Sequence, residues 1–106
     1  MKKIWYVYSK MRPTYELRRS NRKAKKFMVT HDGKSIYFGA SGFSDYTKHK
    51  DHARMLRYDK RHKAHENWSD LNTPGAWAKW VLWNKPSLQD SIKDMERRFK
   101  INIVEK

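Results

Sequence analysis

The sequence contains no cysteine among its 106 residues, only three prolines and four glycines, and 11 acidic residues against 25 lysines and arginines. Without thiols there is no disulfide, no Fe–S cluster, no thiolate nucleophile and no Cys-ligated zinc, so the fold must stand on packing alone. No run of about 18 apolar residues is present, which excludes a membrane-spanning helix. Ile4-Trp5-Tyr6-Val7-Tyr8 is too short and too aromatic for a secretory signal, so the protein is expected to stay in the compartment where it is made. The P-loop, the GxGxxG turn and the nucleophile elbow are missing too, and with them the commonest local signatures of nucleotide binding and acyl transfer.

What is there is charge and large apolar side chains. The formal net charge is +14, with 38% hydrophobic and 14% aromatic residues and a mean hydropathy of −1.10. That composition predicts a folded domain under a charged coat rather than a disordered chain. The length allows one small basic domain spanning 1–106.

The positive charge is concentrated. Residues 1–26 hold ten basic and one acidic residue, and residues 48–66 hold seven and three. Arg18, Arg19, Arg22, Lys23, Lys25 and Lys26 fall within nine residues that lack apolar periodicity, so 9–26 reads as a solvated basic arm or extended segment.

The rest alternates between strand and helix signals. Ile4–Tyr8 reads as an N-terminal strand ended by Pro13. About 26–39 reads as a β-hairpin around Asp32-Gly33, followed by a small-residue, glycine-containing loop over 39–46. A helix is predicted over about 48–65, with Thr47 as its cap and Ala53, Leu56 and Ala64 as its apolar line. On it Lys50, Arg54, Arg57 and Arg61 recur at i, i+4, i+7 and i+11, one basic face.

Thr73-Pro74-Gly75 opens a tryptophan-rich helix over about 74–84, stopped before Pro86. Ser87 opens another over about 87–100, whose Leu88, Ile92, Met95 and Phe99 form a core-facing stripe. Ile101–Val104 is expected to return as an edge strand. The fold class is therefore α+β: a small antiparallel sheet packed against three helices.

Three chemistries are open to these residues. His49 with His52, and His62 with His65, have metal-ligand spacing, yet without cysteine they read as surface or packing histidines, and no cofactor is expected. Asp45 and Asp51 flank the glycine loop as a candidate acid pair, but helix capping accounts for both, and no catalytic residue is assigned. The cations remain as the strongest signal. They suit nucleic-acid phosphates and equally an acidic protein surface or anionic lipid headgroups. Trp77 and Trp80 are expected in the core, and Trp68 and Trp83 as interface anchors.

The strings Lys34–Gly39, Phe43-Ser44-Asp45-Tyr46-Thr47-Lys48-His49-Lys50-Asp51, Arg57–Lys63, Glu66-Asn67-Trp68 and Trp80-Val81-Leu82-Trp83-Asn84-Lys85-Pro86-Ser87-Leu88 resemble a family of short basic proteins encoded by nucleocytoplasmic large DNA viruses, such as chlorella viruses and mimivirus relatives. The resemblance covers roughly residues 17–100 and implies a viral origin, with no catalytic residue to carry over. On that basis the expectation is a non-enzymatic minor capsid or virion-associated protein bridging acidic protein, lipid or DNA surfaces. The alternative is a DNA- or RNA-binding accessory protein acting in viral genome replication or packaging. A small-molecule substrate is expected in neither case.

Overall fold

The computed structural model describes residues 12–106; the strand expected at Ile4–Tyr8 lies outside the described residues. The elements run β1 (Thr14–Arg19), β2 (Lys25–His31), β3 (Lys34–Ala40), α1 (Tyr46–His49), α2 (His52–His62), α3 (Pro74–Trp77, continued by a π-helical turn Ala78–Leu82), α4 (Leu88–Phe99) and β4 (Asn102–Glu105). The architecture is α+β, with a four-stranded sheet in the order β3-β2-β1-β4. Among the described residues no helix is long and apolar enough to cross a membrane.

The expected hairpin is β2–β3. Asp32 and Gly33 both take positive φ, 50° and 75°, the mirror-image turn whose twist matches antiparallel strands. Its register faces Phe27 to Phe38 and Val29 to Ile36, on the side where Phe27, Val29 and Phe38 are buried.

Part of the 9–26 stretch, expected as a solvated basic arm or extended segment, is built into the sheet. Thr14–Arg19 is an interior strand, paired antiparallel with β2 and parallel with β4, so the sheet is mixed rather than antiparallel. The period-two signal is short but present: Tyr15 and Leu17 face inward opposite Ile103 and Val29, while Glu16 and Arg18 point away. A strand can carry Arg18 and Arg19 because a long charged side chain can keep its head at the surface while its backbone pairs. The Arg19 guanidinium sits 5.0 Å from the Phe27 ring centre, and Arg18 lies 3.7 Å from Glu16. Between β1 and β2 the chain turns at Ser20, whose hydroxyl accepts from the Arg22 N–H at 2.8 Å.

The helix expected over 48–65 is two helices. Asp45, not Thr47, caps α1, accepting from the Thr47 N–H at 3.0 Å. Lys50 then takes a left-handed φ of 55°, and Asp51 caps α2 by accepting from the Arg54 N–H. Two capping aspartates six residues apart break what helix propensity alone would join. The apolar line differs too: Met55 and Tyr58 are buried, whereas Leu56 is exposed and so are Ala53 and Ala64.

Thr73 and Ser87 cap α3 and α4 as the sequence indicates. Trp77, Val81 and Leu82 from α3 and its π-turn meet Ile92 and Met95 of α4, with Leu17, Phe27, Val29, Phe38, Ile101 and Ile103 beneath them. Trp80 is half-buried, with its indole N–H donating to the Trp68 carbonyl at 2.7 Å. Asp94, buried on α4, accepts from Asn84 at 2.8 Å and from Arg97 and Arg98, fastening the 84–86 loop to the helix.

Burial alone would raise the Asp94 carboxyl. The Asn84 and Arg97 hydrogen bonds and the Arg98 charge outweigh burial and hold it below the usual carboxylate range. A depressed folded-state value contributes stability that is present above the unfolded value, about pH 3.9, and is lost as pH falls through the folded value. The urea midpoint of the wild type should therefore fall on acidification from pH 5 toward pH 2.5, and Asp94→Asn should flatten that fall; parallel curves for the two proteins would refute it.

A cation-rimmed cleft as candidate functional site

Two ends of the fold meet at a cleft of about 500 Å³. One wall is the start of β2 (Lys25, Lys26) and the end of β3 (Phe38, Gly39, Ala40) with the loop carrying Phe43, Ser44 and Asp45. The other is α2, through Arg54, Tyr58, Arg61 and His62. Glu66, the start of α3, Leu82 and Trp83 close the base.

Local chemistry explains this placement. Gly39 has φ +79°, and a Cβ there would stand 2.8 Å from Leu82 Cδ1, so only glycine lets the strand end lie this close to the helix layer. The loop after it is tied back by the Ser41 N–H donating to the Ala24 carbonyl at 3.0 Å.

Polar and aromatic contacts attach α2. Tyr58 stacks on Trp83 with ring centres 4.2 Å apart and planes 4° from parallel, and on His62 at 4.1 Å. Lys79, buried, donates to Asp59 of α2 at 2.8 Å and to the Trp83 carbonyl at 3.1 Å. Within the first wall Lys26 Nζ donates to Asp45 Oδ2 at 2.6 Å, with 9% and 2% of the two side chains exposed.

The electrostatic balance follows from who is paired. Asp45 is engaged by Lys26 and by the Thr47 N–H and hydroxyl. Glu66 holds His62 with one oxygen and the Trp68 indole N–H with the other. Among the described residues, Lys25, Arg54 and Arg61 make no ion pair, so the cleft carries three uncompensated cations. Burial first, then the Glu66 and Asp59 carboxylates, push the Tyr58 hydroxyl well above its ordinary value against a smaller opposing effect of Arg61. Tyr58 is therefore a neutral wall at physiological pH.

The structure sorts the ten predicted cation positions. Lys25, Lys26, Arg54 and Arg61 share the cleft, and Arg57 is exposed one helical turn from both arginines. Arg18, Arg19, Arg22, Lys23 and Lys50 lie elsewhere. The Arg22 guanidinium covers the Tyr37 ring at 3.9 Å, and Lys23 is exposed in the β1–β2 turn. Lys50 corrects the predicted four-cation face: it precedes α2 and donates to the Pro86 carbonyl at 2.5 Å and the Thr47 carbonyl at 3.2 Å.

Trp68 and Trp83, expected as interface anchors, are half-buried and engaged within the fold. Trp83 presents a face to Tyr58, and Trp68 lies under Lys79 at 5.1 Å. Asp45 and Asp51 are the caps already described. Among the described residues no group of three or more His, Asp or Glu could hold a metal ion; His49 Nδ1 accepts from the Asp51 N–H, and His62 pairs with Glu66.

No local signal in the sequence marks Phe43 as a functional residue. It lines the cleft with 71% of its surface exposed, on a loop whose glycines signal only a turn. A second groove at the hairpin tip sets Lys34 beside Asp32 and gathers no comparable charge.

No curated protein and no solved structure matches this chain. A family model described as a family of unknown function, DUF5754, matches residues 15–62; the span runs from β1 to the end of α2 and includes Lys25, Lys26, Phe43, Asp45, Arg54, Tyr58 and Arg61 of the cleft.

Proposed function

We propose that this chain is a non-enzymatic small basic protein that docks on a polyanion through the cation-rimmed cleft. The observation that carries the reading is that unpaired cations from two distant stretches, Lys25 of β2 and Arg54 and Arg61 of α2, converge on one cleft. A solvated charge run has no reason to converge. The two carboxylates of the cleft are bound to structural partners, which supports holding rather than transforming a ligand. The resemblance to small basic proteins of large DNA viruses supports a minor capsid or virion-associated role, bridging acidic protein, lipid or DNA surfaces. A second reading, a nucleic-acid-binding accessory protein, is favoured by Phe43 beside the cations.

Each phosphate neutralised by a Lys or Arg on duplex DNA adds about 0.9 to the slope of log K against log salt. Titration of duplex DNA over a salt series should give a linear dependence, and the variant Arg54→Gln/Arg57→Gln/Arg61→Gln should lower the slope by about 2 to 3. An unchanged slope and affinity would remove α2 from the interface. The virion role is tested separately by quantitative composition of purified particles, where stoichiometric presence is expected and absence rejects it.

A further inference from the structure

The large apolar groups left most exposed among the described residues are Phe43, Leu56 and Val104, and of these only Phe43 lines the cleft. An exposed phenyl ring therefore lines the same cleft as Lys25, Arg54 and Arg61. Tyr58 and Trp83 are already stacked on each other, so Phe43 is the ring with its surface free.

An open aromatic face among unpaired cations matches one class of polyanion. Single-stranded nucleic acid offers unpaired bases, each with a π face, at a spacing set by charged phosphates, and proteins that bind it combine a basic groove with stacking side chains. A duplex keeps its base faces inside the stack and would leave Phe43 in water. A second copy of this chain, itself carrying +14, would bring like charge to like. An acidic peptide would satisfy the cations and offer Phe43 no stack of flat rings. The cleft volume, about 500 Å³, lies within the range of sites that enclose a small ligand.

We propose that the cleft binds single-stranded nucleic acid, with one base stacked on Phe43 and the flanking phosphates held by Lys25, Arg54 and Arg61. Arg57, one turn further round α2, extends the phosphate path out of the cleft. This inference rests on the polyanion reading above and names its ligand.

The test is fluorescence anisotropy with the 106-residue chain, using a labelled oligothymidylate of about 12 to 15 nucleotides, within the site sizes of single-strand binders, and a duplex of equal length. The single strand should bind more tightly than the duplex. Phe43→Ala should weaken single-strand binding by about 5-fold to 100-fold, the range expected for one stacked base, with duplex binding unmoved. Phe43→Trp should retain affinity. Because Phe43 is exposed, the variants should keep the wild-type melting curve, which separates stacking from misfolding.

A Phe43→Ala affinity within twofold of wild type, duplex binding as tight as single-strand binding, or polyglutamate competing as well as an oligonucleotide of equal charge would overturn the proposal. If duplex binds with an arginine-dependent salt slope while Phe43 is silent, the polyanion reading stands and this inference falls. If no polyanion binds even at low salt, both fall.

Discussion

Trp77→Ala should destabilise the domain by about 3–5 kcal/mol. Trp77 is fully buried, with its ring 5.2 Å from Tyr15 and 6.1 Å from Phe38. Its indole N–H also donates to the Leu71 carbonyl at 2.8 Å. Truncation removes the largest fully buried side chain of the core and leaves a cavity where sheet, α3 and the 67–73 loop meet. The Leu71 carbonyl loses its donor as well. For a domain this size such a loss lowers the melting temperature by more than about 12 °C. Urea unfolding at constant m measures it. Trp77→Phe, which keeps a ring but not the hydrogen bond, should cost less than half as much. A loss below about 1 kcal/mol for the alanine variant would mean that the core closes around the gap, contrary to this packing.

Asp45→Ala should cost a similar amount, about 3–5 kcal/mol, for a different reason. The Lys26–Asp45 pair is shielded from water on both sides, so removing the carboxylate strands an ammonium in a place built for a pair. The cap of α1 goes with it, itself worth about 1 kcal/mol. The double variant Lys26→Met/Asp45→Asn keeps an N-cap and replaces the ion pair with apolar contact and a neutral amide. It should recover stability to within about 1 kcal/mol of wild type, since a buried pair adds little over its neutral replacement. A double-mutant cycle isolates the coupling. A double variant no better than Asp45→Ala would show that the stranded ammonium does not account for the loss.

Some of this architecture is legible residue by residue. Asp32-Gly33 specifies its turn because two consecutive positive φ values select those residue types. Ser87 and the Leu88, Ile92, Met95, Phe99 stripe specify α4 because cap and period lie within one segment. β1 is hidden for the opposite reason. Its inward residues are only Tyr15 and Leu17, and its arginines look solvated until β2 and β4 flank it. Its parallel partner β4 comes from the other end of the chain, a pairing no local pattern reports. The break at Lys50 is written in Asp45 and Asp51, both capping residues, but helix propensity across 48–65 masks it. The cleft was half visible. The cations stood out by number, whereas their pairing, and with it which of them remain free, depends on side chains from other elements.

The amino-acid sequence by itself determined the sign of the charge, the absence of thiol chemistry, the β2–β3 hairpin and the amphipathic C-terminal helix, all properties carried by composition or by spacing within a single element. The tertiary structure alone decided that Lys25 faces the same space as Arg54 and Arg61, that Lys26 is consumed by Asp45, and that Phe43 is left uncovered. A periodic pattern tells a segment which side to bury, but it does not say against what. Charge convergence and residual exposure are set by how distant segments cross, and that is fixed only when the sheet and helices pack.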